Sequence, residues 1–300
     1  MSGLDKKFPY KKFPNKKPPE FLIKPFLKWA GGKRALLPEI RKQFPGDISR
    51  FTYYEPFLGA GAVFFDLRPE RAVINDCNSQ LILTYRIIKE KVEDLIALLG
   101  EYQNRNNAAD YYALRDLDRD AAEFSRLTDT QRAARLIFLN KTCFNGLYRV
   151  NAQGCFNVPY GKYRRPAICE AEVLRRISAY LNTHEITLRT GDFEEAVSDA
   201  GALSFIYFDP PYHSPDKTNF TGYQAEAFGE GEQRRLRDLM VRLTRRGVKC
   251  LLSNSDTEYI RSLYGEEPFV TAQVLTKRSI SADVSLRGSV SEVLIRNWKD

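Results

Sequence analysis

The sequence predicts an α/β fold with a mainly parallel sheet, an antiparallel hairpin that closes the sheet, and a mostly helical insertion. Three observations support this prediction. Short apolar runs typical of buried strands alternate with helical stretches, at residues 51–54, 72–74, 186–188, 205–208 and 248–253. Residues 269–275 and 291–297 alternate apolar and polar side chains, as a closing hairpin would. Between residues 79 and 169, by contrast, we find no convincing buried strand.

The insertion is predicted to be helical because its apolar residues recur at helical spacing, over residues 81–100, 108–117 and 130–139. A loop rich in glycine, asparagine and arginine follows, over residues 140–166. We therefore predict an inserted domain over residues 79–169. The main domain then consists of residues 25–78 and 170–300, with a cleft between the two domains.

Residues 1–24 are predicted to be a disordered basic tail. Paired lysines are followed by Phe-Pro at Lys6–Pro9 and at Lys11–Pro14, and by Pro-Pro at Lys16–Pro19. Prolines block helix formation and like charges repel one another, so the segment has little to fold around. Its lysines either contact phosphates or only aid solubility, and the sequence leaves both possibilities open.

Composition excludes several classes of protein. A hydrophobic content of 43% with 28% charged residues is typical of a soluble globular chain, and no apolar stretch approaches the roughly 20 residues that span a bilayer. The five cysteines lack C-x-x-C spacing and the two histidines are isolated, so we expect neither a disulfide framework nor a metal site. We expect a cytoplasmic location. The net charge of +8 favours a polyanionic partner.

Asp209, Pro210, Pro211 and Tyr212 directly follow the apolar run at residues 203–208. This motif places a carboxylate, a rigid backbone and an aromatic ring at the end of a buried strand. The Asp209 side chain and the Pro210 carbonyl can each accept one hydrogen of an exocyclic amino group, while the tyrosine ring stacks on the base. Such chemistry fits adenine-N6 methylation. The alternative is an ordinary Pro-Pro turn. We expect the next residue, His213, to be a solvent-facing loop residue rather than a base.

A glycine motif follows the first predicted strand, with Phe57, Gly59 and Gly61, and Asp76 ends the second strand. Glycines let a backbone approach a ligand closely, and an acidic residue so placed can accept ribose hydroxyls. A nicotinamide-dinucleotide fold is the competing interpretation. The third glycine of its fingerprint is missing, however, and Phe64 stands where close packing on a pyrophosphate favours a small residue.

Taken together, the motifs of this chain resemble those of Dam-type DNA adenine-N6 methyltransferases, the D12 class in which the cofactor glycines come first and Asp-Pro-Pro-Tyr last. The resemblance runs from Pro25 to about Arg296 and is carried by five ordered motifs, at residues 26–33, 54–62, 138–166, 209–212 and 278–281. It implies a Rossmann-like S-adenosylmethionine methyltransferase sheet, with residues 79–169 as a target-recognition domain.

The resemblance also implies an S-adenosylmethionine pocket. Phe193 would lie beside the adenine ring, Asp76 would bind the ribose, and Lys33 would offset the methionine carboxylate. Asp192 has an ordinary helix-capping alternative. The predicted pocket residues are Trp29, Lys33, Phe57, Gly59, Gly61, Asp76, Asp192, Phe193 and Asp209.

The loop after residue 139 is predicted to read duplex DNA. By resemblance, Arg149 reads the outer guanine of a GATC site, Leu147 packs on the thymine methyl, Pro159 touches the neighbouring pair, and Phe144 fills the space of a flipped adenine. An arginine fork matches guanine O6 and N7. Phe144 stands where the family usually has tyrosine, and Lys141 where it has arginine. The other predicted DNA contacts are Lys28, Lys141, Asn145, Lys162 and Tyr163, with Arg278 and Ser279 as candidates for a loop or phosphate contact.

These features predict a monomeric enzyme that flips adenine out of double-stranded DNA and methylates N6. Two alternatives remain open. The first, an RNA adenine-N6 methyltransferase, also suits the basic charge, but the recognition loop argues against it. The second is a catalytically inactive DNA-binding regulator, and the intact Asp209, Tyr212, Gly59 and Asp76 argue against such decay.

Overall fold

The computed structural model describes residues 23–29, 31–214, 228–277 and 289–299. The predicted basic tail, except for its last two residues, lies outside the described residues, as do Arg278 and Ser279. In the described part of the chain, no helix is long and apolar enough to cross a bilayer.

A seven-stranded sheet forms the centre of the described structure, in the order β3-β2-β1-β4-β5-β7-β6. Strands β1 to β5 are parallel to one another, and β7 runs antiparallel between β5 and β6. The predicted parallel sheet and its closing hairpin are therefore confirmed. The strands are β1 (Thr52–Glu55), β2 (Arg71–Asp76), β3 (Glu185–Thr190), β4 (Ser204–Phe208), β5 (Lys249–Ser255), β6 (Val270–Lys277) and β7 (Ser289–Arg296).

The central strand β4 explains why the sequence there is continuously apolar. All five of its residues are buried, because helices cover both faces of a parallel sheet. The strand order changes direction between β1 and β4, and ligands of open α/β sheets bind at the carboxyl ends of the strands at such a point. The topology therefore places a crevice beside Asp209, the first residue after β4.

Ten α-helices occur in the part of the chain that the structure describes. Lys91, with φ −140° and ψ 45°, separates α3 from α4 within the predicted helical stretch at residues 81–100. The helices are α1 (Leu37–Lys42), α2 (Ala62–Leu67), α3 (Ser79–Glu90), α4 (Val92–Gln103), α5 (Ala108–Asp116), α6 (Ala121–Arg126), α7 (Asp129–Thr142), α8 (Ala171–Thr183), α9 (Glu230–Arg245) and α10 (Glu258–Leu263).

Helix α3 joins the sheet to the helical lobe. It packs against β2 and β3 of the sheet and against α7 and α8. Its amino end is capped by Asn78, whose side chain accepts hydrogen bonds from the backbone of Gln80 and Leu81, both at 3.1 Å. One continuous core includes Tyr53 of the sheet and Leu139 of α7. The predicted division at residues 79 and 169 stays a prediction.

Candidate active site

The predicted catalytic and cofactor motifs meet at one edge of the sheet. The glycine loop follows β1, Asp76 is the last residue of β2, Asp192 and Phe193 follow β3, and Asp209 follows β4. Because these four strands are parallel, their carboxyl ends lie side by side. Motifs more than a hundred residues apart in sequence are therefore brought to the same edge of the sheet.

Asp209 receives two protein hydrogen-bond donors on the same carboxylate oxygen. Lys33 Nζ lies 2.8 Å from Oδ1, and Ser253 Oγ donates to Oδ1 at 2.8 Å. Within the described residues no donor reaches Oδ2. The side chain is 19% exposed, so Oδ2 is the oxygen that remains for an amino group in the crevice.

Opposing effects act on the ionisation of Asp209. Burial is the largest and raises the pKa of the carboxyl above its ordinary value, while the charge of Lys33 and the hydrogen bonds from Lys33 and Ser253 oppose the rise. Lys33 Nζ also donates to the Gly31 carbonyl at 2.6 Å. The sequence predicted Lys33 as a partner of the methionine carboxylate, whereas its protein partner here is Asp209.

Tyr212 is held from two directions. Its hydroxyl donates to Glu292 Oε2 at 2.7 Å, and Lys33 Nζ lies 4.5 Å from the centre of its ring. Burial raises the pKa of the phenol well above its usual value, so the hydroxyl stays protonated and keeps donating. The ring is thus fixed at the crevice, as a stacking role requires.

Polar side chains that extend from β5 and α9 satisfy the backbone that follows Pro210. Gln233 donates to the Pro211 carbonyl at 3.0 Å and accepts from Asn254 Nδ2 at 3.0 Å. Asn254 Oδ1 accepts from the His213 backbone at 3.1 Å. Among the described residues no donor reaches the Pro210 carbonyl. This carbonyl is therefore left as the second acceptor for an amino group.

His213 differs from the sequence prediction. Its ring is half-buried, lies 4.8 Å from the ring of Tyr259, and its Nδ1 is 2.9 Å from Thr257 Oγ1. The expectation of a solvent-facing loop histidine holds only in part: His213 lies in a loop, but α10 and the turn before it pack against its ring. The imidazole therefore joins the loop that follows Tyr212 to Thr257 and Tyr259.

The glycine loop is shaped by close packing on Trp29. Gly59 has φ +51°, and a Cβ atom there would lie 2.8 Å from Trp29 Cδ1. Asp76 fixes the same loop: its Oδ2 accepts from the Gly59 backbone and its Oδ1 from the Asn78 backbone, both at 2.9 Å. Cys77 Sγ also donates to Oδ1, at 3.6 Å. Oδ2 keeps a second lone pair, so Asp76 can still accept a ribose hydroxyl.

Asn75 was not predicted as a site residue, although it stands as a polar side chain within an apolar strand. It is 2% exposed. Its Nδ2 donates to the carbonyls of Pro56 and Gly191, both at 3.0 Å. The loops after β1 and β3 are therefore held together by the strand between them.

A cavity of about 860 Å³ extends from these loops towards the helical lobe. Ligand pockets of this size accept molecules as large as a nucleoside derivative. Predicted residues Phe57 and Phe193 stack with ring centroids 5.2 Å apart. Lining residues that were not predicted include Phe228, whose ring lies 5.6 Å from that of Phe57, and Arg235, which lies 4.6 Å over Phe193.

Asp192 also lines this cavity. Its Oδ1 accepts from the Glu194 backbone at 2.9 Å and pairs with Arg235. The capping geometry that the sequence left open is therefore present, together with a charged partner. Both contacts fix the turn that carries Phe193.

The predicted recognition loop forms an irregular hairpin, with bridges between Cys143 and Tyr160 and between Val150 and Phe156. Within the hairpin, the ring of Tyr148 stacks on that of Trp29, with the ring centroids 5.2 Å apart. The hairpin thus lies directly against the residue that packs on the glycine loop. Leu147 itself is only half-buried, at the edge of the core.

Several predicted DNA contacts are brought together at the base of this hairpin, beside the bridge between Cys143 and Tyr160. The Phe144 ring is 52% exposed, and its backbone donates to the Pro159 carbonyl at 2.9 Å. The Asn145 backbone donates to the Tyr163 hydroxyl at 3.0 Å, and Lys28 Nζ lies 4.8 Å over the ring of Tyr163.

Arg149 and Lys162 are exposed, whereas Lys141 is not. Arg149 Nε donates to Asn157 Oδ1 at 2.7 Å, which fixes the stem of its guanidinium. Lys141 pairs with Glu170, and its side chain is only 11% exposed. The structure therefore gives Lys141 a protein partner in place of the predicted open DNA contact.

The amino-acid sequence matches the D12 class N6 adenine-specific DNA methyltransferases over residues 29–280. It is 43% identical over 277 residues to the type II methyltransferase M1.LlaDCHI of Lactococcus lactis subsp. cremoris, with 92% of this chain and 96% of that protein covered. It is 38% identical over 297 residues to the type II methyltransferase M.MjaIII of Methanocaldococcus jannaschii, covering 92% and 99%. Identity to the DNA adenine methylase of Escherichia coli (strain K12) is 34% over 274 residues, covering 90% and 93%. Because the family match spans most of the chain and the sheet is that of a Rossmann-like methyltransferase, the protein belongs to the D12 class of N6 adenine-specific DNA methyltransferases.

Proposed function

We propose that this DNA adenine-N6 methyltransferase uses S-adenosylmethionine to methylate adenine flipped out of double-stranded DNA, within GATC sites. The observation that carries the proposal is the arrangement around Asp209. Both protein donors occupy Oδ1, which leaves Oδ2 and the Pro210 carbonyl as acceptors beside the fixed ring of Tyr212.

The target amino group has two hydrogens and one lone pair. Asp209 Oδ2 and the Pro210 carbonyl would each accept a hydrogen bond from one of the two N6 hydrogens. These two bonds would turn the nitrogen lone pair out of conjugation with the purine. Tyr212 would stack on the base. S-adenosylmethionine, when bound, supplies an electrophilic methyl group for direct displacement. The residues thus act mainly by positioning, which can lower the activation free energy by several kcal/mol.

The aromatic residues that line the cavity and the acidic residue beside it support S-adenosylmethionine as the cofactor. Phe57, Phe193 and Phe228 form an aromatic cluster for a purine ring. Asp76 retains acceptor capacity for ribose hydroxyls beside the glycine loop. We therefore propose these residues for the nucleoside half of the cofactor, with Trp29 supporting the loop from behind.

Base flipping is proposed because an adenine paired within a duplex does not present N6 to a donor in line. The exposed Phe144 ring, at the base of the hairpin, is the candidate for the vacated space. Lys28 and Asn145 each contact Tyr163 at this base of the hairpin, and Lys162 is next to Tyr163 in sequence. We propose that these residues contact the DNA backbone.

The GATC assignment depends on Arg149. Arg149 Nε donates to Asn157 Oδ1 at 2.7 Å and Nη2 to the Asn157 carbonyl at 3.5 Å. These contacts hold the exposed guanidinium at the loop, and we propose that it pairs with guanine O6 and N7 when DNA binds. Leu147 and Pro159 are proposed to read the neighbouring pairs. Monomeric state and cytoplasmic location stay predictions.

A substrate panel tests the proposal. The protein is incubated with S-adenosylmethionine labelled in its methyl group and with a GATC duplex, duplexes changed at one base pair, and an RNA duplex of the same sequence. We expect label in N6-methyladenine of the GATC duplex. Preferential labelling of RNA would instead support an RNA methyltransferase, and binding without transfer would support an inactive regulator.

A further inference from the structure

A buried hydrogen-bond chain lies behind Asp209. Ser253 Oγ donates to Asp209 Oδ1 at 2.8 Å, and the Tyr207 hydroxyl lies 2.9 Å from the same Oγ. Ser253 and Tyr207 are both 0% exposed. Strands β4 and β5 are paired with Tyr207 opposite Leu251. Asp209 lies two residues beyond Tyr207 and Ser253 two residues beyond Leu251, so their side chains share one face of the sheet.

The number of hydrogens gives this chain a direction. A carboxylate only accepts, and Ser253 has one hydroxyl hydrogen. When Ser253 donates to Asp209, the Tyr207 hydroxyl must therefore donate to Ser253. Burial raises the pKa of Tyr207 well above its ordinary value, so this phenol keeps its hydrogen. Hydrogen bonds arranged in series within a buried site strengthen one another.

Lys33 alone does not fix the plane of the carboxylate. The terminal torsion of aspartate is broad, and an ammonium group is a point charge with three rotatable donors. The second donor, Ser253 on the neighbouring strand β5, restricts this rotation. It also keeps Oδ1 occupied, so that Oδ2 faces the crevice.

We propose that Ser253, supported by Tyr207, is a positioning residue that sets the orientation of the Asp209 carboxylate for the target amino group. The inference rests on the proposed role of Asp209 as an acceptor of the amine. A purely structural role for Ser253 would change stability without changing how the rate depends on pH.

Ser253→Ala tests the chain, with Ser253→Thr to restore the hydroxyl and Tyr207→Phe to remove only the distal donor. We expect the single-turnover rate of Ser253→Ala on a GATC duplex to fall roughly ten- to a hundredfold, as for one lost bond to a charged group. The affinities for cofactor and DNA should stay unchanged. Ser253→Thr should recover part of the rate, and Tyr207→Phe should show a smaller loss.

The pH profile gives the second readout. Asp209 acts as a carboxylate, so the rate falls as pH drops through its pKa. Removing a donor that lowers this pKa moves the acid limb of Ser253→Ala to higher pH. The other titratable groups around Asp209 are Lys33, Tyr53, Glu55, Tyr207, Tyr212 and Glu292, and all but Tyr207 are common to wild type and every variant.

Ser178→Ala serves as a matched control, since Ser178 is a buried serine on α8 that is bonded to the Lys89 carbonyl. An unchanged rate and acid limb in Ser253→Ala, with Asp209→Ala inactive, would overturn the inference and leave the proposed function standing. An active Asp209→Ala would instead remove the proposed function on which the inference rests.

Discussion

The carboxylate of Asp209 and the ammonium group of Lys33 form an ion pair of 2.8 Å at the carboxyl end of the central strand. Lys33 is 5% exposed and comes from the motif at residues 26–33, far from Asp209 in sequence. A buried charge of this kind requires a partner. The pair therefore links the first of the five motifs, at residues 26–33, to the fourth, at residues 209–212.

We predict that Lys33→Met lowers the rate most strongly at low pH. Lys33 lowers the pKa of Asp209 against the effect of burial. Its removal therefore raises that pKa and moves the acid limb of the pH–rate profile to higher pH. Lys42→Met, which removes an exposed lysine paired with Glu39, is the control. A weaker cofactor affinity with an unshifted pH profile would show instead that Lys33 binds the methionine carboxylate.

We predict that Gly59→Ala weakens both folding and cofactor binding. The left-handed backbone of Gly59 costs any other residue about 1–2 kcal/mol, and the added methyl group would displace Trp29. Thermal unfolding and cofactor titration measure the two effects. Gly100→Ala is the control, because Gly100 lies within α4 with no atom near the added Cβ, and this change should stabilise the protein by about 0.5–1 kcal/mol. Equal behaviour of both variants would contradict the packing described for Trp29.

We predict that Arg149→Ala relaxes discrimination at the outer guanine. A bidentate arginine-guanine pair contributes about 1–3 kcal/mol against a wrong base, so rates on GATC and on duplexes altered at the first position should converge. Discrimination at the central A and T should be kept. Lys162→Ala, which removes a proposed phosphate contact, should weaken binding to every duplex alike. The same uniform loss in Arg149→Ala would make it a backbone contact.

The sequence was sufficient to predict the strands and the motif residues. The apolar runs at residues 205–208 and 248–253 identify β4 and β5 because buried parallel strands leave little room for polar side chains. Asp209 and Tyr212 were found because their types and spacing are local.

The partners of these motifs could not be predicted, because strand order determines them. Ser253 reaches Asp209 across 44 residues, and Glu292 reaches Tyr212 across 80. The weak signal for Ser253 and Asn254 was a polar pair at the end of an apolar strand. Phe228 and Arg235 showed no such signal in the sequence, because they reach the cavity from α9 and from the residues just before it.

The central claim is that the Asp209 carboxylate accepts a hydrogen of the target amine, and Asp209→Ala tests it most directly. The measurement is the single-turnover rate of methyl transfer to a GATC duplex, with cofactor affinity and thermal unfolding as checks on the folded site. We predict a rate lower by about 10²–10³-fold, as for the loss of one preorganised polar group, with cofactor binding largely kept. A rate above roughly a tenth of wild type would contradict the account, because one preorganised group at the reacting atom contributes more than that.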